Sequence, residues 1–297
     1  MGICESKNKI SNNNPINIEN KKKLEIDTGK PLNSIDLNIY NVIKSVCKII
    51  TNEGTGTGFL IKLYRNKKEF YCLMTNEHLI TKNMINLKEK IIIYYDGQNK
   101  RNEIILDINK RYIKDYRNKD NDLDIIIIEI IKEDNINEQY FLLPYIDEYN
   151  NKINNNIYIV QFPHGNLSYS KGKIIKINNY EITYDVHTES GSSGSPIFLE
   201  NTQRVIGIHI GGDIIDKENY GNFIYPIIKD LEIITLYYNN GTYYKGDVIN
   251  GLRHGKGIQY YKNGNIKYEG DFINDKYEGN GKYHFENGEY YIGQFKK

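Results

Sequence analysis

The chain has 297 residues, with 39 lysines and arginines against 38 aspartates and glutamates, and a formal net charge of +1 at pH 7. This balance gives no electrostatic reason to expect a nucleic-acid partner. Hydrophobic residues make up 39% of the chain, which is enough for a folded core, and the length fits a mid-sized catalytic domain with a smaller unit appended. The three cysteines lack the spacing of metal ligands, and the sequence implies neither a metal nor a cofactor.

The first segment, residues 1–37, is polar, and we predict a flexible, acylated tail. In "MGICES", Gly2 follows the initiator methionine and Ser6 occupies the position that N-myristoylation prefers, while Cys4 is suited to palmitoylation. Two lipid signals make a stable membrane anchor. No apolar run approaches the roughly 18 residues of a transmembrane helix. We therefore expect a cytoplasmic protein attached peripherally to membranes, with an unmodified polar tail as the alternative.

The next segment, residues 38–235, alternates short apolar runs with polar turns. Many short strands at such spacing are typical of an all-β barrel or sandwich. The predicted strands lie at 45–50, 56–64, 69–75, 90–95, 123–130, 156–162, 171–177, 180–186, 195–199 and 204–210. The run "PIIKDLEIITLYY", Pro226 to Tyr238, begins with proline and has helical spacing, so it predicts a closing helix.

Residues 236–297 contain an internal repeat. "YKGDVINGLRHGKG" begins at Tyr244, "YEGDFINDKYEGNG" at Tyr268 and "YIGQF" at Tyr291, so the repeat recurs after 24 and then 23 residues. The pattern resembles the membrane occupation and recognition nexus (MORN) repeat. That resemblance implies consecutive β-hairpins and a surface for a protein partner or a membrane. Because two full units are few for an isolated solenoid, we expect the array to pack on the preceding domain.

Three segments of the all-β region carry residue types suited to nucleophilic catalysis. "LMTNEHLI" places His78 after an apolar strand, "DLDIIIIEI" places Asp124 at the head of another, and "GSSGSP" supplies Ser193. A serine nucleophile needs a histidine to take its proton, and that histidine needs a carboxylate to fix its tautomer. Taken singly, each residue also fits an ordinary strand end or turn.

Together these motifs resemble the chymotrypsin-fold serine peptidases, whose order along the chain is His, Asp, Ser. The resemblance implies a double β-barrel, a triad of His78, Asp124 and Ser193, and an oxyanion hole formed by the backbone N–H groups of Gly191 and Ser193. Asp122 also precedes a leucine and is the alternative acid. Asp124 is preferred because it makes "DIIIIEI" parallel the strand that follows the acid in this family.

Within that group, "YDVHTESGSSGSPIF" and "RVIGIHIGG" are most similar to the glutamyl endopeptidases. The resemblance implies that Thr188 and His209 contact an acidic substrate side chain, and that Gly211 and Gly212 border the substrate backbone. Hydrogen bonds from an imidazole and a hydroxyl suit a buried carboxylate. His187 stands where a trypsin-like specificity for Lys or Arg would need an aspartate. The family's freed α-amino group, which helps to bind the acidic side chain, has no obvious counterpart here.

The sequence thus predicts an all-β chain with a chymotrypsin-like double barrel followed by a MORN array. The predicted function is a membrane-tethered serine endopeptidase that cleaves protein or peptide substrates after Glu or, less often, Asp. The alternative is a catalytically silent scaffold that uses the protease fold to bind peptides or membranes.

Overall fold

The computed structural model describes residues 25–26, 37–117, 123–146, 152–200, 202–212, 218–249 and 251–296. The predicted lipidation sites Gly2 and Cys4 and the alternative acid Asp122 lie outside these residues. None of the helices in the described ranges is long and apolar enough to cross a membrane.

The chain is built mainly from β-strands joined by short turns. The strands are β1 (Glu25–Ile26), β2 (Val46–Ile50), β3 (Thr55–Arg65), β4 (Lys68–Thr75), β5 (Lys90–Tyr95), β6 (Lys100–Ile105), β7 (Ile113–Asp115), β8 (Ile126–Glu129), β9 (Leu143–Pro144), β10 (Asn156–Gln161), β11 (Ser168–Asn178), β12 (Glu181–Tyr184), β13 (Pro196–Leu199), β14 (Arg204–Gly212), β15 (Asn219–Phe223), β16 (Ile234–Tyr237), β17 (Tyr243–Ile249), β18 (Leu252–Tyr260), β19 (Ile266–Ile273), β20 (Lys276–His284) and β21 (Tyr290–Phe295). The helices are α1 (Leu37–Ile43), α2 (Lys82–Asn86) and α3 (Tyr225–Glu232), with 3-10 turns at Glu77–Leu79, Lys132–Asp134, Glu138–Tyr140 and Pro163–Gly165.

The first sheet has seven strands in the order β6-β5-β2-β3-β4-β8-β7. Its longest hairpin, β3–β4, turns through Asn66 and Lys67, which have φ angles of 51° and 63°. Positive φ at both central residues gives the turn the twist that a tight hairpin needs. The hairpin brings the start of β3 beside the end of β4, so residues that follow β4 lie close to those that begin β3.

The second sheet closes on itself as a six-stranded barrel. Its strands follow the order β11-β10-β13-β14-β15-β12, and β12 pairs back onto β11. β1 and β9 add to it as parallel strands beside β11 and β14. A core that includes Phe59 and Ile61 of β3 and Tyr158 and Phe198 of the barrel joins the two sheets. The predicted all-β, double-barrel class is confirmed, with the second sheet a closed barrel and the first an open half-barrel.

The predicted closing helix is shorter than its hydropathy pattern indicated. α3 begins beside Pro226, buries Ile228 and Leu231, and ends at Glu232. The backbone N–H of Asn66 donates to the Leu231 carbonyl oxygen, which ties the helix to the β3–β4 turn. The prediction of helix to Tyr238 was wrong because Ile234–Tyr237 pairs with β17 and forms strand β16.

The C-terminal sheet is an antiparallel meander in the order β16 to β21. It begins at Ile234, two residues before the boundary drawn from the sequence. The repeat glycines Gly246, Gly257, Gly270, Gly281 and Gly293 are register partners on successive strands and form one column across the sheet. The rings of the repeat tyrosines lie over this column, where a Cβ at the glycine would collide with them.

Candidate active site

His78 and Asp124 meet because the strands beside them are paired. His78 lies in the 3-10 turn that follows β4, and Asp124 lies two residues before β8. β4 and β8 are antiparallel, with Thr75 opposite Ile126. The end of one strand therefore adjoins the start of the other, which places both side chains at the same edge of the first sheet.

The His78 imidazole faces the Asp124 carboxylate. Nδ1 lies 2.5 Å from Oδ2, and the His78 backbone N–H donates to Oδ1 at 3.1 Å. Burial alone would raise the pKa of the Asp124 carboxyl, but the hydrogen bonds from His78 and the charges of His78 and Arg117 outweigh it and hold this pKa below its ordinary value. Because the carboxylate is ionised, Nδ1 carries the proton and Nε2 is left as a base.

A third group, Arg117, also contacts this carboxylate. Its Nη2 lies 3.0 Å from Asp124 Oδ1, and its Nη1 lies 2.9 Å from Oε2 of Glu77. The Asp124 backbone is held as well, since its carbonyl oxygen accepts a hydrogen bond from Asn76 Nδ2 at 2.7 Å. Arg117 was not predicted from the sequence, because a lone arginine in a polar segment has no motif that marks it.

Ser193 lies in the loop between β12 and β13, at the junction of the two sheets. Its hydroxyl donates to the Ile210 carbonyl oxygen at 2.9 Å. Ile210 sits at a register shift in the β14–β15 ladder, between His209 and Gly211, so its carbonyl is available to a side chain. Within the described part of the chain, Ser193 Oγ makes this hydrogen bond and none to His78.

The predicted oxyanion-hole amides are both without acceptors. Among the hydrogen bonds of the described residues, none uses the N–H of Gly191 or Ser193 as donor. Gly191 has φ of +96°, and a Cβ there would lie 2.7 Å from the Phe162 carbonyl oxygen. Only glycine fits this backbone without strain. The two amides are therefore able to donate to a ligand oxygen.

His209 is buried in the second barrel, with 2% of its surface exposed. Its Nδ1 lies 2.6 Å from the Tyr184 hydroxyl, which is 3.3 Å from the Tyr220 carbonyl oxygen. The Tyr184 hydroxyl has one proton, and its donation to Nδ1 in place of the carbonyl puts the imidazole proton on Nε2. Burial, with a smaller effect from the charge of His78, lowers the pKa of His209 to about 3. The imidazole is therefore neutral at neutral pH.

The other predicted substrate-binding residues lie beside His209. The Thr188 hydroxyl donates to Oδ1 of Asn219 at 2.6 Å, so its one proton is already used. Asn219 Nδ2 in turn donates to the Val186 carbonyl oxygen at 2.5 Å, which fixes the orientation of the amide. Gly211 and Gly212 pair with β15, while the pairing of β14 with β13 ends at Ile208. In the described residues the other edge of these glycines has no strand partner.

Two parts of the chain match known protein families. Residues 56–208, just over half of the chain, match the model of the trypsin-like peptidase domain. The chain belongs to the trypsin-like peptidase family. Residues 244–266 and 268–290 match the MORN repeat, so the predicted repeats and the predicted family are both confirmed.

The peptidase domain is similar to the glutamyl endopeptidases of Staphylococcus aureus strains MW2 and MSSA476. Each is 35% identical over 91 residues, which is 27% of this chain and 28% or 27% of the relative. The match thus spans less than a third of those proteins. Among solved structures, a Glu endopeptidase in complex with MPD has a TM-score of 0.47 at 18% identity and covers 64% of this chain and 88% of its own. The active form of a protease from M. tuberculosis has a TM-score of 0.46 at 17% identity, with 75% and 89% covered.

The structure also shows what the sequence reasoning about the peptidase domain missed. His78 and Asp124 lie in contact, and Ser193 lies in the same loop as Gly191. Arg117 and Tyr184 were not predicted, although each contacts a predicted site residue. A sequence signal for Tyr184 exists in retrospect, because it lies on the strand that precedes the serine loop and its alternation points inward.

Proposed function

We propose that the chain is a serine endopeptidase in which Ser193 is the nucleophile, His78 the general base and acid, and Asp124 the residue that orients His78. The contact between His78 Nδ1 and the buried Asp124 carboxylate carries this proposal, because it leaves Nε2 free to accept a proton. Ser193 Oγ adds to the peptide carbonyl carbon while its proton moves to Nε2. The C–N bond then breaks, the amine takes that proton, and water hydrolyses the acyl-enzyme by the same steps.

Charge develops on the carbonyl oxygen during both additions. Among the described residues, the N–H groups of Gly191 and Ser193 have no acceptor, so they are ready to bind that oxygen. At rest the Ser193 hydroxyl is held by the Ile210 carbonyl. Attack therefore requires a rotation of the serine side chain toward His78, which a staggered side chain makes without backbone movement.

We further propose that cleavage follows Glu, and less often Asp. His209 offers a neutral Nε2–H, and within the described residues no acceptor uses it. The name of the staphylococcal relatives, glutamyl endopeptidase, supports the same preference. Thr188 would have to exchange its hydrogen bond with Asn219 before it could donate to the substrate.

The remaining proposals concern location and partners. Acylation at Gly2 and Cys4 would attach the protein to a cytoplasmic membrane surface, with the MORN repeats as a second contact to lipid or protein. Membrane fractionation of Gly2→Ala, and separately of a chain that lacks residues 240–297, tests this. Unchanged fractionation in both variants contradicts the proposed tether.

The activity is tested by incubating a mixed peptide library with the purified chain, and by labelling with a fluorophosphonate, which reacts with activated serines. Ser193→Ala should abolish both signals. Ser168→Ala, a serine of β11 in the same barrel, should leave both unchanged. If a folded wild type neither cleaves nor reacts, the peptidase proposal is wrong and a peptide-binding scaffold is favoured. Cleavage after residues other than Glu or Asp contradicts only the specificity.

A further inference from the structure

Each oxyanion-hole amide is oriented by the carbonyl group of the preceding residue, which belongs to the same peptide group. A trans peptide points its C=O and N–H in opposite directions, so a carbonyl held on one side turns the following amide to the other. The Ser190 carbonyl accepts from the His164 N–H at 2.7 Å. The Ser192 carbonyl accepts from the Ser195 N–H at 3.1 Å and from its hydroxyl at 2.5 Å. These two carbonyls precede the amides of Gly191 and Ser193.

The peptide group between these two amides joins Gly191 to Ser192, and a residue of the first sheet holds it. Thr57 of β3 is fully buried, and its hydroxyl donates to the Gly191 carbonyl oxygen at 2.8 Å. The same oxygen atom of Thr57 accepts the backbone N–H of Phe162 at 3.0 Å. A hydroxyl has one proton to donate, and Thr57 donates it to the loop that carries Gly191 and Ser193. The Thr57 backbone N–H donates to the Ser193 carbonyl at 2.9 Å as well.

We infer that Thr57 is a positioning residue for the oxyanion hole, acting through the Gly191 and Ser193 carbonyls. This inference rests on the proposed peptidase function. Gly191 has no side chain and a positive φ, so nothing within the residue itself restrains the peptides on its two sides. The Thr57 hydroxyl supplies that restraint from a strand of the other sheet. The hole is then assembled before substrate arrives, which is the condition under which such donors are most effective.

A merely structural role and a positioning role differ in their kinetic effect. If Thr57 only supports packing, its loss lowers stability and leaves kcat of the folded enzyme unchanged. If it aims the amides, its loss lowers kcat with little change in KM, because the oxyanion forms only after substrate is bound. Loss of one oxyanion donor costs about a hundredfold to a thousandfold in kcat, so misdirected donors should cost about tenfold to a hundredfold.

The test uses the full chain and compares Thr57→Val, Thr57→Ser and Thr51→Val. Valine keeps the shape and removes the hydroxyl, whereas serine keeps the hydroxyl. Thr51 is the matched control, because its buried hydroxyl also donates to a backbone carbonyl, that of Gly54 at 3.2 Å, and accepts a backbone N–H. It lies in the β2–β3 turn, six residues before Thr57. Each variant is assayed for kcat, KM, thermal stability and inhibition by a peptide aldehyde, whose hemiacetal oxygen takes the oxyanion position when Ser193 adds to it.

We expect Thr57→Val to lose about tenfold or more in kcat, to keep its KM, and to bind the aldehyde more weakly by a similar factor. Thr57→Ser and Thr51→Val should keep the wild-type kcat. If Thr57→Val does not fold, Thr57→Ala, which is smaller and also lacks the hydroxyl, should show the same split between kcat and KM. Wild-type kcat in a folded Thr57→Val or Thr57→Ala overturns the inference alone. A folded wild type that does not cleave peptides, or cleavage that persists in Ser193→Ala, overturns the proposed function and this inference with it.

Discussion

Arg117 Nη2 lies 3.0 Å from Oδ1 of Asp124, on the carboxylate whose other oxygen faces the imidazole of His78. The guanidinium also bonds Glu77, the residue before His78, so one cation is shared between two carboxylates. A positive charge at this distance offsets part of the negative charge that stabilises an imidazolium. The ion pair is therefore expected to set where activity falls on the acid side.

Replacing Arg117 by glutamine should move the acidic limb of the kcat/KM profile to higher pH, by about half a unit at low salt, since the arginine is partly exposed and screened. Glu77→Gln is the control, for which we expect the acidic limb to shift in the opposite direction. It leaves the guanidinium wholly on Asp124 and should move the limb to lower pH. The measurement is kcat/KM against pH for both variants, and shifts in the same direction would contradict the assigned electrostatics.

Acid should destabilise the fold through His209. Burial lowers the pKa of this imidazole to about 3 from an ordinary value of 6.5, so the folded state binds its proton less readily than the unfolded state does. The stability that neutral His209 contributes is fully present above pH 6.5 and is lost as pH falls from 6.5 toward 3. At pH 5 the loss should be about 2 kcal/mol. Denaturant unfolding at pH 7.5 and pH 5 checks this.

His209→Gln is the comparison for that measurement, because glutamine does not titrate. Its unfolding free energy should fall less between the two pH values than that of the wild type. Equal slopes for the two proteins would show that other groups control acid stability.

Tyr184→Phe should weaken cleavage after Glu. Without the hydroxyl, Nδ1 of His209 loses the donor 2.6 Å away that fixes the imidazole tautomer, and Nε2 no longer reliably carries a proton toward the substrate. We expect about a tenfold loss in kcat/KM for Glu substrates. Competition kinetics on paired peptides with Glu or Ala before the cut measures the preference.

Tyr158→Phe is the matched control for Tyr184. Its buried hydroxyl donates to the Thr202 carbonyl at 2.6 Å, in the same barrel but outside the pocket. It should lose stability and keep the ratio of Glu to Ala cleavage. A Tyr184→Phe ratio equal to that of this control would remove Tyr184 from the specificity pocket.

The repeat sheet should be sensitive to any side chain in its glycine column. A Cβ at Gly281 would collide with the ring of Tyr268, so Gly281→Ala should lower the stability of the C-terminal sheet by about 1–3 kcal/mol. Asn280→Ala, at the exposed neighbouring position, should be close to neutral. The measurement is thermal unfolding of the wild type, Gly281→Ala and Asn280→Ala. Equal midpoints for Gly281→Ala and the wild type would mean that the ring of Tyr268 moves aside at no cost.

Local patterns carried much of the fold and of the site. The ten predicted strands coincide with strands of the structure because each is a short β-branched or aromatic run between polar turns. His78, Asp124 and Ser193 stood out because each lies in a short motif beside such a strand. Thr57 and Arg117 did not, because a threonine in a strand and an arginine in a polar segment are ordinary residues until the fold brings a partner to them.

The predicted closing helix shows where a local sequence pattern is not enough. Apolar residues at helical spacing continue past Glu232, and hydropathy alone does not separate a helix from a strand there. The outcome at Ile234 depends on β17, which offers a pairing edge to residues that a sequence pattern treats in isolation. Tertiary pairing thus decided what local propensity left ambiguous.

The tyrosine rings over the glycine column lie on glycines of their own repeat unit. Tyr244 covers Gly257 of the next strand, and Tyr268 covers Gly281 in the same way. The array therefore has a building unit of 24 residues, the spacing from Tyr244 to Tyr268. Evolution or an engineer can lengthen or shorten it by whole periods, since each unit then keeps its own ring and glycine. Removal of a single strand would instead separate a tyrosine from the glycine that it covers.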